Sequence, residues 1–364
     1  MSRPVMQSRH TAIDIAKGLG IVLVVLGHDR TVGGWGWPGW MIFSFHMPLF
    51  FVLSGAFLRP SDDMRRFAVS RFHAILKPCF VVALLVAAAK WLAGTHGMIA
   101  PVGAGELFGG VLYGTGATLM WTPMWYLPHL FIASCTGLLL LKALAGRPQL
   151  MVPLCSTLLA GGVFAIGRLP ELPWSADLLP ISVPFMLAGW HLRDRIFAAR
   201  FRTLHCAVAM AVFVMLNLAF DARMDLNMRV YDDLLVNTAE AGCGVYLVLT
   251  LASRLQNAGP PSRLFSTLGS ASLFILMFHH PIQTKVLTVL QARGMSDLGA
   301  SALAVTAGLV LPLLVWDGAR RLPPLGWLLL PPVRAPHAPT SASPAQTSEC
   351  ARQSQSEAPQ ARTP

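Results

Sequence analysis

Residues 17–28 read KGLGIVLVVLGH. Gly, Leu, Ile and Val suit a helix in lipid, but the lysine and histidine that bracket them do not, because an ionisable side chain in a span is costly and usually faces the bundle interior. Lys17 and His28 are eleven residues apart. On a helix that is a rotation of about 1100°, so they point within about 20° of each other and are about 16 Å apart along the axis. Asp14, three residues before Lys17, is placed to pair with it. One polar stripe is therefore expected to run from the helix entrance to a deep imidazole.

The whole chain shares this apolar character. Of its 364 residues 54% are hydrophobic and only 12% are charged, about half the ~25% of a soluble domain. Its mean hydropathy is +0.56. About ten apolar segments can be marked, near 13–29, 40–58, 72–94, 121–142, 149–167, 177–193, 203–220, 233–252, 268–290 and 298–318. Each approaches the ~17–25 residues of a transmembrane helix. Lipid forbids open strand edges, and the alternating pattern of a membrane barrel is absent. The expected fold is an all-α polytopic membrane protein, a bundle of about ten transmembrane helices.

Charge orients the bundle. The net charge is +11, yet the basic residues sit in short clusters between apolar runs, which favours a topology signal over nucleic-acid binding. With the N-terminus inside, the inner loops hold Arg3, Arg9, Arg59, Arg65, Arg66, Arg71, Lys77, Lys142 and Arg147, and later Arg193, Arg195, Arg200, Arg202, Arg254, Arg263, Arg320, Arg321 and Arg334. The outer side holds only Arg30, Lys90, Arg168, Arg223, Arg229 and Arg293. This predicts N-in, C-in, with the acidic loop DARMDLNMRVYDD (221–233) outside. The basic-then-apolar N-terminus mimics a signal peptide, but no small-x-small site follows, so it reads as an uncleaved first helix. Residues 1–334 form the membrane domain. Residues 335–364, rich in Pro, Ser, Ala and Gln, read as a disordered cytoplasmic tail.

Of the six cysteines, five lie in apolar runs and no two share a CxxC spacing, so neither disulfides nor a metal site is expected. No HExxH, P-loop or GxSxG pattern occurs. What remains is a set of intramembrane ionisable residues. They are Lys17 and His28, His46 in SFHMPLFFVLSG (44–55), His129 in WYLPHL (125–130), Glu240, and His279, His280 and Lys285. An imidazole serves as general base near neutral pH or as an acyl-accepting nucleophile. Pro48 should bend the second helix beside His46. Ser54-Gly55 reads as close helix packing. Trp125 and Tyr126 suit either an interfacial aromatic belt or a sugar-binding mouth. His129 reads as core. Glu240 and Lys285 are candidates for an interhelical pair.

The Lys17–His28 separation suits a long ligand with an anionic head and a distant reactive end. An acyl-CoA fits, its phosphates near Lys17, Arg65, Arg66 and Arg71 and its thioester near His28. The bland alternatives are a snorkelling lysine and arginines that only mark the inner face.

IDIAKGLGIVLVVLGH (13–28), FHMPLFFVLSG (45–55), RFHAILKP (71–78), WYL (125–127) and SLFILMFHHPI (272–282), in this order over roughly residues 9–320, resemble the acyltransferase-3 family of bacterial integral-membrane acyltransferases. The likeness is nearest to its fucose 4-O-acetylase-like branch. The resemblance implies transfer of an acyl group, usually acetyl from acetyl-CoA, to a hydroxyl of an extracytoplasmic or lipid-linked glycan. It implies a multi-pass protein of the bacterial cytoplasmic (inner) membrane, with acyl-CoA, a glycan or glycolipid acceptor and membrane lipids as partners. No permanently bound cofactor, metal or nucleic acid is implied. The widespread family motif has arginine, ten residues, then histidine; here Lys17 replaces the arginine, a point charge in place of a bidentate fork. By this resemblance His28 and His46 are the catalytic candidates. Lys17, Arg65, Arg66, Arg71, Trp125, Tyr126 and His279 are the substrate-binding candidates, with His279 preferred to His280. The competing expectation is a transporter or flippase of a lipid-linked glycan with histidine proton relays. The lack of an internal inverted repeat and the scarcity of intramembrane carboxylates count against it.

Overall fold

Nine of the ten apolar segments each centre on one helix and the tenth, over 268–290, spans two, as backbone groups in lipid require. The computed structural model describes residues 10–33, 37–119 and 122–332. Arg3, Arg9, Arg334, Cys350 and the tail predicted over 335–364 lie outside the described residues.

In chain order, α1 (Thr11–Gly27) leads through the short α2 (Arg30–Gly33) to α3 (Trp37–Gly55). Then come α4 (Met64–Arg71), a π-turn (Phe72–Leu76), α5 (Lys77–Thr95) and α6 (Ala104–Tyr113). A 3-10 turn (Thr122–Trp125) opens α7 (Tyr126–Ala143), and α8 (Met151–Ala165) follows. A second 3-10 element (Pro173–Leu178) precedes α9 (Leu179–His191), α10 (Arg193–Phe197) and α11 (Thr203–Ala219). A hairpin of β1 (Met224–Asp225) and β2 (Val230–Tyr231) intervenes before α12 (Leu234–Leu255), α13 (Pro260–Ser270), α14 (Ser272–Ala292), α15 (Asp297–Arg321) and α16 (Pro323–Leu329). The protein is an all-α polytopic membrane protein in which this hairpin is the one described sheet.

Six segments are long and apolar enough to cross a membrane: Met64–Thr95, Pro123–Ala143, Pro148–Ala165, Leu234–Leu255, Ser272–Ala292 and Asp297–Arg321. Gly39–Gly55 and Thr203–Ala219 are shorter apolar helices. The 17-residue α1 sits at the lower limit for a span. The 13-residue α9 falls below it, because left-handed backbone at Trp174 and Ser175 stops helix from forming further upstream. The segment expected over 268–290 is broken at Ala271, which ends α13 just before α14 begins. Helices α8, α11 and α15 present exposed Val152, Phe164, Leu218 and Leu314, the apolar outer face that lipid covers.

Two glycine-mediated crossings set the centre of the bundle. A methyl group on Gly18 of α1 would overlap the Phe265 carbonyl of α13, and one on Gly269 of α13 would overlap the Asp14 carbonyl of α1. The same reciprocity joins α3 and α9 through Gly55 against Met186 and Gly189 against Val52. The reading of Ser54-Gly55 as a packing element therefore holds. Backbone-to-backbone approach of this kind is what small residues permit in membrane bundles. Helix α1 also packs against α3, α12 and α14, so its end is surrounded by the elements that build the site.

The expected Glu240–Lys285 pair is not formed. Glu240 is buried on α12 and accepts from Asn237 Nδ2 at 3.3 Å, while Lys285 is exposed on α14. Lys77, counted among the inner-loop cations, instead donates to the carbonyls of Trp327 and Leu330, each at 2.6 Å. It thereby fastens the end of α16 beside the π-turn.

Candidate active site

The end of α1 is built to aim one imidazole. With the helix stopping at Gly27, its last carbonyls lose their usual donors. Val24 O receives both the His28 backbone N–H (3.1 Å) and His28 Nδ1 (2.9 Å). Val25 O is met by Gln283 Nε2 of α14 at 3.0 Å. Asp29, buried, accepts from the Thr31 N–H at 2.9 Å and from Ser301 Oγ of α15. The helix end is thus tied to α14 and α15, and His28 is held by its own backbone.

A carbonyl has no proton to give, so His28 Nδ1 is the N–H nitrogen and Nε2 carries the lone pair. His46 repeats the arrangement on α3, where Nδ1 donates to Ile42 O at 3.0 Å. The helix runs through Pro48 one turn beyond Ser44, and proline's missing N–H leaves the Ser44 carbonyl without its helical donor. In their neutral form both imidazoles therefore present Nε2 as an acceptor.

These rings face a common cavity of about 190 Å³. Its wall includes His28, His46, Trp125, Tyr126, Asp225 and His280, with Val24, Phe43, Met47, Pro123, Asn227, Met228 and Leu276 completing it. Phe43 touches both histidines, its ring centroid 5.7 Å from that of His28 and 5.0 Å from that of His46. Trp125 ends the 3-10 turn and Tyr126 opens α7, so the change of helix type there places adjacent aromatics at the wall. A larger cavity of about 550 Å³ lies against α5 and α6, lined by Lys90, Glu106, Tyr113 and Thr118 among others. It contains none of the histidines.

The two histidines of α14 divide. His280 lines the cavity. His279, the one preferred from sequence, is fully buried behind it, with Nδ1 donating to Ile275 O at 2.8 Å. Its ring nevertheless meets that of His28 edge to face at 5.3 Å, and the His280 ring lies 5.9 Å from that of His28. Among the described residues no cluster of His, Cys, Asp or Glu is arranged to hold a metal ion. His129 is core, with Nε2 2.9 Å from Ser182 Oγ.

The predicted cations are elsewhere. Lys17 lies 3.9 Å from Asp14 and 5.3 Å from the Phe57 ring centroid. Arg65 and Arg66 are exposed on α4, and half-buried Arg71 stacks on Phe67 at 5.2 Å. None of the four lines the histidine cavity. The structure thus brings together His28, His46, Trp125 and Tyr126, with His279 directly behind; it leaves Lys17, Arg65 and Arg66 apart from them, while Arg71, off the cavity wall, lies within electrostatic reach of Tyr126.

Three site residues were missed in the sequence. Asp29 stands next to His28 in the same deep stretch, and Gln283 lies one turn from His279 on the same face; both signals were legible. Asp225 offered none, being one of several acids in the loop after α11. The hairpin turns it inward. Met224, Leu226 and Tyr231 are buried. Arg229, in left-handed backbone, binds Asp177 at 3.1 Å, lies 3.6 Å from Glu171 and donates to the Asn227 carbonyl at 2.9 Å. Asp225 Oδ1 accepts the N–H groups of Asn227 (2.9 Å) and Met228 (3.1 Å). Burial raises its carboxyl above the ordinary value, opposed by those two backbone bonds and by Arg229.

Residues 10–318 match the acyltransferase-3 family model, described as an acyltransferase domain. The comparisons with curated proteins and with solved structures found no match. The matched stretch holds α1 through most of α15, and with them every wall of the histidine cavity. The chain, a membrane protein with this site at its centre, belongs to the acyltransferase-3 family and is an acyltransferase.

Proposed function

We propose that this acyltransferase moves acetyl from acetyl-CoA to a hydroxyl of an extracytoplasmic or lipid-linked glycan, acting in the bacterial inner membrane with His28 as general base. The observation that carries the reading is the cavity in which His28 and His46 present lone-pair Nε2 atoms beside Trp125 and Tyr126. His28 Nε2 takes the proton of the acceptor hydroxyl, and the oxygen attacks the thioester carbonyl. The new C–O bond forms as the C–S bond breaks, and the CoA thiolate leaves with the proton that His28 releases. His46 orients the hydroxyl. The aromatic pair offers a face to a sugar ring.

Size supports a short acyl group. About 190 Å³ is below the ~300–1,000 Å³ of sites that enclose a drug-sized ligand. It suits one ring and a small acyl group, the rest of both substrates lying outside. On this reading Lys17, Arg65, Arg66 and Arg71 hold the CoA phosphates, and the donor's thin arm spans the gap to His28. Lys17 in place of an arginine is also the feature that favours the fucose 4-O-acetylase-like branch.

The test is expression of wild type and His28→Ala in a glycan-making bacterial host, reading acetyl mass on surface polysaccharide. The variant should lose the modification, a general base contributing about 10²–10⁴-fold. Equal acetylation would sink the role given to His28.

A further inference from the structure

The histidine cavity sets three acceptors beside the donor groups of Trp125, Tyr126 and Asn227. His28 and His46 present lone-pair nitrogens, and Asp225 is the one carboxylate among the described lining residues. Only Oδ1 of Asp225 is used by the turn; Oδ2 has no hydrogen bond among the described residues. Arg223, the nearest cation in sequence, is held by Asp221, and Arg229, which lies close enough to act on the Asp225 carboxyl, gives its ion pairs to Asp177 and Glu171. Nothing on the wall therefore neutralises Asp225 by an ion pair. The hairpin that carries it comes from the loop assigned by charge to the acceptor side. The acceptor side of the cavity, His28, His46 and Asp225, complements a ligand that presents donors there, and its one carboxylate disfavours an anion placed against it.

We infer that Asp225 orients the acceptor: its Oδ2 takes a hydrogen bond from a hydroxyl or amino group next to the hydroxyl that is acylated. Preferred acceptors are then neutral or amino sugars with adjacent donors. Uronic acids and phosphorylated sugars are disfavoured. This rests on the glycan-acceptor reading above. It adds a specificity determinant on a hairpin with no apolar or catalytic sequence signature.

Asp225→Asn separates this role from the turn. The asparagine Oδ1 still accepts the Asn227 and Met228 N–H groups, while the second oxygen becomes a donor. The experiment uses the full-length protein in proteoliposomes with acetyl-CoA. Its acceptors are the methyl pyranosides of fucose, galactose and glucose, their monodeoxy analogues, and methyl galacturonoside. Wild type should prefer a parent sugar to the analogue lacking the neighbouring hydroxyl by tenfold or more, and should reject the uronoside. In Asp225→Asn the acceptor KM should rise tenfold or more, the deoxy discrimination should fall to within twofold, and the KM for acetyl-CoA should stay within twofold. An unchanged melting temperature excludes misfolding as the cause. Wild type that acetylates sugars but ignores the neighbouring hydroxyl, or a variant that keeps the discrimination, overturns the inference and leaves the function standing. Wild type that acetylates none of the sugars overturns both.

Discussion

The rings of His28 and His279 meet edge to face with centroids 5.3 Å apart, although the two residues are far apart in the sequence, at α1's end and on α14. His279 is anchored to its own helix through Ile275 O, so it forms a fixed wall behind the imidazole that faces the cavity. The expected consequence is a difference between adjacent histidines. His279→Ala lets His28 drift and should lower kcat by about 10²-fold, the scale of a 1 Å misplacement, with the acceptor KM unchanged. His280→Ala removes a cavity wall and should raise the acceptor KM. Steady-state kinetics on both variants checks this. Identical profiles would remove the distinction between a supporting and a lining residue.

Lys17 lies near Asp14 and the Phe57 ring, away from the histidines. If it holds a CoA phosphate, Lys17→Met should raise the KM for acetyl-CoA by about tenfold, within the range of a hydrogen bond to a charged group, and leave kcat within twofold. Lys17→Arg should restore the KM, since a guanidinium also binds phosphate. A KM unchanged in Lys17→Met would reduce this lysine to a marker of the membrane boundary.

The α1–α13 and α3–α9 crossings leave no room for a side chain at Gly18, Gly269, Gly55 or Gly189. The obstructing atoms are backbone, which cannot rotate away. Each glycine-to-alanine change should destabilise the bundle by about 1–3 kcal/mol, the cost of overpacking a filled core. Gly242, beside which there is open space, should tolerate alanine. Thermal unfolding in detergent ranks the five variants. Equal melting temperatures for Gly18→Ala and Gly242→Ala would contradict the packing.

The β1–β2 hairpin is held by the buried Arg229–Asp177 pair, whose side chains are 7% and 8% exposed. Removing one partner of a buried pair costs up to about 3–5 kcal/mol, and here Arg229 would keep only its longer contact to Glu171 at 3.6 Å. Asp177→Asn should therefore loosen the hairpin and expose residues 221–233 to protease in right-side-out vesicles. Acceptor transfer should fall while acetyl-CoA binding persists. Protection equal to wild type would show that burial of Met224 and Tyr231 is sufficient.

The sequence by itself determined the helical membrane character and the positions of the apolar helices, apart from the break at Ala271. These follow from local rules: apolar runs must satisfy their own backbone in lipid, and helical spacing fixes which residues share a face. His46, Trp125 and Tyr126 were legible for the same reason, as polar or aromatic exceptions inside apolar runs. Tertiary structure decided the rest. It chose His280 over His279 for the cavity wall, because the rotation of α14 against α1 is set by packing and by the Gln283–Val25 bond. It left Glu240 and Lys285 apart and gave Lys77 to α16. It also brought Asp225 to the histidines, through a hairpin whose direction depends on Arg229 meeting two carboxylates about fifty residues earlier in the chain. No local pattern encodes such a contact, since its energy exists only after the chain has closed around it.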